Sequence, residues 1–400
     1  MCIRDRVWEK LEMELAKYGL ALRLYPTSAP ASTVGGWLAQ GGAGIGSFEA
    51  GWFRDNVVSA RVAMPDGSVK DFRGQDLELI SEAEGTTGLI SEVTVRVQVL
   101  EEMEVASVGC GNPHSLQRLV QAIIDERLPV WSLVFINPRM AEFKNKVTTV
   151  EAHGHGSQEK QLLPAVYIMT LAYRKKDRDA VMGRLSELAK VNGAEMLSES
   201  IARQEWGERF KIMVVKRLGP SLVPAEVVVP LSSLGAVMDE ITKKVAQPIV
   251  KEAIVIREGS AGKPEVVLLG FIPSDQREFS YNFVFSLALT ISDIAERNGG
   301  REYATGLYFA GKADRVLGPE RLKRLRAFKA SVDPRGILNP GKVMENGAVG
   351  GVLDIAQALE PVVRALANRV VPKVGERPTR PVRGIPADVA WYAYACSQCG

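Results

Sequence analysis

Between Pro26 and Gly67 the chain reads PTSAPASTVGGWLAQGGAGIGSFEAGWFRDNVVSARVAMPDG, and this stretch restricts the possible folds more than any other. Gly35, Gly36, Gly41, Gly42, Gly44, Gly46 and Gly51 fall within it, with Ser28, Ser32 and Thr33 just ahead. Glycines at this density let a backbone adopt positive φ and come close to another molecule with no Cβ between them. Inward N–H groups beside small hydroxyls make a concavity suited to a diphosphate. The run Gly41-Gly42-Ala43-Gly44-Ile45-Gly46 aligns with a GxGxxG variant, but a Rossmann fingerprint should follow a strand and open a helix. Here aromatic residues and the polar Arg54-Asp55-Asn56 come next, with no helical period. No Gly-Lys-Ser/Thr stands at Walker spacing, which excludes a P-loop. From the residues alone the stretch is either a phosphate nest or a surface loop that binds nothing. It closes into Val57–Met64 and Val69–Phe72, a predicted hairpin across Pro65-Asp66-Gly67-Ser68.

The length, 400 residues, suits two or three domains with sizeable cores. A net charge of +3 gives no reason to invoke nucleic acid or a membrane surface. No apolar run reaches the about 18 residues that span a bilayer. The four cysteines, two of them at the C-terminal end, fit a reducing compartment better than a disulfide scaffold. Met1–Arg6 lacks the apolar core of a signal peptide and resembles translated adaptor sequence, so a non-native leader is expected there.

Three ordered motifs carry a family resemblance. The first is Pro26-x-Ser28, Thr33-Val34-Gly35-Gly36, Gly41-Gly42, Gly51, Asp55-Asn56-Val57-Val58 and Pro65-Asp66-Gly67. The second is Glu84-Gly85-Thr86-Thr87-Gly88-Leu89-Ile90-Ser91-Glu92. The third is Asp333-Pro334-Arg335-Gly336-Ile337-Leu338-Asn339-Pro340-Gly341-Lys342. In this order they resemble FAD-linked oxidases of the vanillyl-alcohol oxidase / p-cresol methylhydroxylase type, in the branch of glycolate oxidase and D-lactate dehydrogenase. The likeness covers roughly residues 20 to 345. It implies an α+β protein: the second half of an FAD-binding domain of the p-cresol methylhydroxylase type over 7–100, a ferredoxin-like α+β cap over 101–330, and a flavin-contacting return over 331–346. It further implies FAD contacts from Ser28, Thr33, Gly35, Gly36, Gly41, Gly42, Gly46, Asp55, Gly85, Thr86, Gly88, Ile90 and Asn339. In the family an earlier subdomain with its own glycine loop precedes this stretch. Here only a predicted helix and strand over Val7–Tyr25 do, so a truncated FAD domain with weakened binding is expected.

From Glu101 strands and helices alternate: Val105–Cys110 and His114–Glu126, then Val130–Ile136, Ala165–Tyr173, Asp177–Val191, Glu226–Val229, Leu231–Val245, Ile249–Ile256, Glu265–Phe271 and Arg277–Asn298. This order suggests an antiparallel sheet with helices on one face. Hydroxy-acid oxidising members carry HxGDGNxH-like and SxEHG-like segments. At those places this chain has Leu268–Asp275 and Glu302-Tyr303-Ala304-Thr305-Gly306-Leu307, without a histidine. A base for a substrate hydroxyl needs a pKa near the working pH, and histidine supplies it most readily. Its absence leaves the 2-hydroxy acid and a metal open. The histidines that exist, His114, His153 and His155, read as a helix start and an exposed loop.

The resemblance directs attention to Trp206-Gly207-Glu208-Arg209, whose arginine would face a substrate carboxylate through its fork of donors; a helix-end ion pair is the equal alternative. Arg139 and Lys216-Arg217 are weaker candidates. Tyr308 could present a hydroxyl over the flavin, and Lys342 with Asn339 could stabilise negative charge on the reduced ring. Gly318–Ala330 is a predicted helix started by Pro319, its basic residues marking a solvated face. A helix over Val352–Val370 and a Pro/Arg-rich linker come next, within a 347–390 segment. Cys396-x-x-Cys399 would supply two ligands of a [4Fe–4S] module starting at about 391, by family analogy. The expectation is an oxidoreductase that takes a hydride equivalent from a small organic substrate onto FAD. It would pass electrons through an iron–sulphur module to an acceptor, in the cytoplasm or at the inner face of a membrane. A flavin-fold scaffold without chemistry is the alternative.

Overall fold

The computed structural model describes residues 7–151, 161–211, 215, 221–245, 249–274, 281–344 and 360–370. His153, His155, Lys216, Arg217, the linker, Cys396 and Cys399 lie outside the described residues. The chain forms two compact units, one from the residues up to Glu101 with Arg301–Met344, the other from Glu102–Gly300 with the helix Glu360–Val370.

The first unit begins with helix α1 (Trp8–Ala16) and strand β1 (Leu20–Leu22). Around the glycine segment lie two short helices that the sequence does not suggest, α2 (Val34–Gln40) and α3 (Ser47–Ala50). Both are held by apolar anchors rather than by length. Trp37 of α2 stacks on Phe53 with ring centroids 4.4 Å apart, and Trp8 of α1 meets both rings edge-on. Such a group buries large rings in favoured geometries, which compensates for the low helix propensity of Gly35 and Gly36.

Strands β2 (Val57–Ala63) and β3 (Val69–Arg73) form the expected antiparallel hairpin. The period-two alternation of Ile90–Leu100 reads as a single strand, but the chain forms two there, β4 (Leu89–Val95) on β2 and β5 (Val97–Val99) on β1. The break falls at Arg96, whose N–H donates to Asn56 O at 2.8 Å rather than to a ladder partner. Residues 301–330, expected with the cap, belong to this first unit. The helix Pro319–Val332 packs Leu322 and Leu325 with Leu317, Ala313, Ala83 and Val343.

The second unit is an antiparallel sheet in the order β10-β12-β11-β7-β8-β6-β9. Its elements run β6 (Met103–Cys110), α4 (Pro113–Asp125), β7 (Val130–Ile136), α5 (Pro138–Glu151), β8 (Tyr167–Arg174) and α6 (Arg178–Val191). Then come β9 (Ala194–Met196), α7 (Glu199–Gly207), β10 (Ser221–Pro230), α8 (Leu234–Lys244), β11 (Val250–Ile256), β12 (Glu265–Ser274) and α9 (Tyr281–Arg297). Helices α4, α6, α8 and α9 form one layer, as the periodicity suggests. A second layer, α5 and α7, covers part of the opposite face. That is why β7 is buried at every position instead of at alternate ones. Helix α5 is absent from the sequence-based reading, although Asn137-Pro138 announces it: Asn137 Oδ1 accepts from Met140 N at 3.0 Å, and Pro138 sits where no N–H is needed. Among the described residues, no helix is long and apolar enough to cross a membrane.

Leu325 is fully buried in the cluster that ties the returning chain to the first unit. Leu325→Ala should lower unfolding free energy by about 2–5 kcal/mol, seen as an earlier urea midpoint with an unchanged slope.

Candidate functional site

The second and third motifs, far apart in sequence, meet in the first unit. Asn339 Nδ2 donates to Glu84 O at 2.6 Å, and a Cβ on Gly85 would stand 3.1 Å from the same amide. Glu84 uses its carboxylate as well: it accepts from Gly306 N at 2.8 Å and lies 3.9 Å from Lys342 Nζ. Val343 N in turn donates to Gly306 O. Glu82, Glu84, Asn339 and Val343 all have positive φ, between 41° and 61°. Non-glycine residues are seldom held there, and strain of this kind persists only where the surroundings over-determine it.

Glu82 is the electrostatic centre. Its carboxylate accepts from Arg321 of the helix Pro319–Val332 and lies 3.3 Å from Arg54. Burial pushes its pKa up, but Arg321 and Arg54 more than offset this and hold it below the usual carboxylate range. Arg321 also donates to Ser81 O at 2.7 Å and to Glu78 O. The helix's basic residues are therefore not merely a solvated face. Arg321 is half-buried against Glu82, and Lys329 forms a buried pair with Asp333.

The glycine segment folds against these groups. Gly44 lets Tyr25 and Ile45 form a two-way backbone bridge, and a Cβ there would come 2.1 Å from Tyr25 O. At Gly42, with φ +147°, a Cβ would meet the Tyr303 hydroxyl at 2.4 Å and Trp37 Nε1 at 2.7 Å. Ala43 N donates to that hydroxyl at 3.0 Å, and Tyr303 stacks on Trp52 with centroids 6.3 Å apart. These glycines therefore serve the protein's own close packing.

Of the other expected contacts, Gly35 lies against Ile90, and Gly41 against Glu82. Thr33 caps α2 by accepting from Gly36 N at 3.2 Å. Ser28 donates to Ser32 Oγ. Thr86 is buried and donates to Ala83 O, and Gly88 packs on Val62. Gly46 supplies the left-handed start of α3. Asp55 is exposed beside Arg54. Tyr308 is half exposed, and it is Tyr303 that reaches the glycine loop. Two polar side-chain atoms of one turn, Trp52 Nε1 and Asn56 Oδ1, are buried without a hydrogen-bond partner among the described residues. An unmet donor and acceptor each cost about 1–3 kcal/mol, so a polar group bound here would have a donor and an acceptor to meet. The residues present thus fit a polar cofactor.

Arg209 lies in the second unit. Its guanidinium stands over Trp206 (4.5 Å) and Phe210 (4.4 Å), and it donates to Trp206 O at 2.8 Å. It lines a cavity of about 30 Å³ between the sheet and helices α5 and α7. The neighbouring Glu205 and Glu208, the alternative partners for this arginine, are paired with Lys144 at 2.5 and 3.4 Å. Elsewhere in the unit His114 Nε2 meets Asp239 at 2.9 Å on the surface. Among the described residues no cluster of three or more His, Cys, Asp or Glu could hold a metal.

Residues 6–73 match the FAD binding domain family and residues 99–343 the family of FAD linked oxidases, C-terminal domain. The mitochondrial D-lactate dehydrogenase [cytochrome] of Arabidopsis thaliana is 26% identical over 363 residues, covering 84% of this chain and 60% of that protein. Glycolate oxidase subunit GlcD of Bacillus subtilis is 22% identical over 339 residues, covering 81% and 70%. A solved alkyldihydroxyacetonephosphate synthase superposes with a TM-score of 0.59 at 18% identity, covering 85% of this chain and 63% of that one, which shows a shared fold. This chain spans about 60% of the length of the first of these relatives.

Asp333 holds the returning loop by accepting from Lys329, Ile337 N and Leu338 N. The Lys329 hydrogen bond leads in lowering its pKa to about 2, against an ordinary value of about 3.9. A depressed carboxylate stabilises the fold above its unfolded value, and that contribution is lost as pH falls through the folded one. The melting temperature should therefore fall between about pH 4 and pH 2, and less steeply in Asp333→Asn when both are followed by circular dichroism.

Proposed function

Because the chain belongs to the family of FAD linked oxidases, C-terminal domain, we propose that it forms the catalytic part of an oxidoreductase. Its substrate would be the CH–OH group of a small 2-hydroxy acid such as D-lactate or glycolate. One observation carries the reading: the strained Glu82–Thr86 turn and the Asp333–Lys342 loop are bound to each other through Glu84 and Asn339, beside the glycine segment. Relatives named as D-lactate dehydrogenase and glycolate oxidase subunit support the substrate class.

FAD, when bound, supplies the acceptor for the hydride equivalent and can release electrons singly. The chain's own residues do the rest. Ser28, Thr33, Gly35, Gly36, Gly41, Gly42, Gly46, Asp55, Gly85, Thr86, Gly88, Ile90 and Asn339 would hold it. Lys342 would supply a cation for the negative charge of reduction, its ammonium already shared with Glu84. Arg209, its plane set by Trp206 and Phe210, would take the substrate carboxylate. Tyr308, half exposed, is the side chain through which the hydroxyl proton would reach solvent. Electrons would leave through an iron–sulphur module to which Cys396 and Cys399 contribute ligands. The enzyme would work in the cytoplasm or at the inner face of a membrane.

A second reading, a flavin-fold subunit without chemistry, is favoured by one observation. Leu268–Ser274, where hydroxy-acid oxidising members carry a histidine-rich segment, is buried β12 strand, paired with β10 throughout and with β11 as far as Phe271, and presents no proton acceptor of that type.

A visible spectrum separates the readings from a protein that binds no flavin. The purified chain supplied with FAD should show an absorbance band near about 450 nm, and its absence in folded protein overturns both flavin readings. Reduction of a dye with D-lactate or glycolate supports the enzyme, whereas a flavin band without turnover supports the scaffold. Asn339→Ala removes one hydrogen bond, worth about 1 kcal/mol, and should weaken FAD binding roughly fivefold in a fluorescence titration.

A further inference from the structure

The cavity beside Arg209 contains a group to which the oxidoreductase reading gives no part. Glu252 of β11 points into it from the sheet, 5% exposed, and its Oε2 has no hydrogen-bond partner among the described residues. The register fixes its place. Glu252 is paired with Ile136 on β7 and with Leu269 on β12, so no polar side chain neighbours it directly across either strand. Val134, Ile136, Ile168 and Met140 supply apolar walls, beside Thr170, whose hydroxyl is shared with Ser107.

The charges around the cavity balance without Glu252. From α5 comes Lys144; from α7 and the turn after it come Glu205, Glu208 and Arg209. Two cations face two carboxylates, so an ionised Glu252 would leave one net negative charge at a buried position, which is costly. Glu226, the next acidic residue in the same cross-sheet row, lies beyond Leu269 and adds no positive charge. A neutral Glu252 carries a hydroxyl that can donate, and nothing among the described residues receives it.

We propose that this cavity takes the carboxylate end of a small organic acid, with Arg209 as its charge partner and the protonated Glu252 as its second hydrogen-bond donor. The proposal rests on the 2-hydroxy acid reading and extends it to a residue and a protonation requirement. The size agrees. A water needs about 10–15 Å³ measured in this way, so about 30 Å³ admits a carboxylate's two oxygens, but not a whole hydroxy acid. Burial leads in pushing the Glu252 carboxyl up to about 8, with Lys144 pulling it down and Glu205 adding to the rise. At neutral pH the donor form is therefore in place. Above that value the ionised carboxylate would repel the incoming one, so binding and the proton are coupled.

Isothermal titration of the full chain with glycolate tests this. Affinity is divided by the fraction of protein in the binding form, so it should fall about tenfold from pH 7 to pH 9. At pH 9 each glycolate bound should bring nearly one proton with it, read from heats in buffers of different ionisation enthalpy. Glu252→Gln keeps a neutral donor of the same shape and should bind glycolate with less than a twofold change over the same range. The proposal is overturned by pH-independent affinity in the unaltered chain, by an equal pH loss in Glu252→Gln, by binding without proton uptake at pH 9, or by no glycolate binding at all. The proton measurement needs no variant. A spectrum of the same sample keeps the two readings distinct: flavin present with no glycolate binding removes only this inference, and coupled binding without flavin removes only the oxidoreductase.

Discussion

Arg321 reaches from the helix Pro319–Val332 into a ring of oxygens made by Glu82, Ser81 and Glu78. The first unit is assembled from two stretches of chain with Glu102–Gly300 of the second unit inserted between them, so something must hold the return to the beginning. Apolar contact through Leu322 and Leu325 supplies area but little direction. The guanidinium supplies direction, because a planar fork satisfies several acceptors only in one orientation. Arg54 approaches the same carboxylate from the glycine segment, so Glu82 joins the glycine segment, the turn that carries it, and the returning helix. The positive φ of Glu82 and Glu84 is tolerated because these bonds over-determine the turn.

That clamp changes the meaning of the glycines. Read as sequence, they look like a surface cleared for a ligand. In the structure the missing side chains at Gly42 and Gly44 make room for Tyr303, Trp37 and the Tyr25 carbonyl. Both requirements are compatible, since a backbone packed this tightly is also rigid, and rigidity is what a preorganised cofactor site needs. The aromatic group of Trp8, Trp37 and Phe53 stiffens the same segment from behind.

Much of this is legible in the residues. The hairpin across Pro65–Ser68, most of the strands and helices from β6 to α9 (though not α5, β9 or α7), and the family itself can be read from turn residues, periodicity and three motifs. Gly299, with φ +78°, follows the end of α9, a left-handed stop of the kind a glycine pair after Asn298 favours. The features that escape a reading of the sequence share a cause. Helices α2 and α3 are too short to show a period and exist because tertiary contacts hold them. The charges of Pro319–Val332 look solvent-facing because periodicity reports apolar spacing and says nothing of a buried ion pair. Tyr303 rather than Tyr308 meets the glycine loop, a choice that depends on three-dimensional placement and has no local signal. Glu252 sits in VKEAIVI among apolar residues, and only the register shows which face it occupies.

The two faces of the sheet in the second unit differ in kind. On one, Ala106, Val108 and Cys110 of β6 meet helices that contribute Leu116, Leu119, Val120 and Ile123, an ordinary apolar layer. On the other, Ser107 shares a 2.8 Å hydrogen bond with Thr170, Glu252 lines the cavity, and Glu226 is pushed by burial to about 7. A face built only for stability would not carry these groups, because apolar residues of like volume pack there at lower cost. Burial raises the pKa of two carboxyls in one cross-sheet row, a pattern that is common where a site does chemistry. The helical cover from α5 and α7 closes over part of that face, and Lys144, Glu205 and Arg209 line the cavity beneath it. The two faces thus differ in what they bury, an apolar layer on one side and hydroxyl and carboxyl groups on the other.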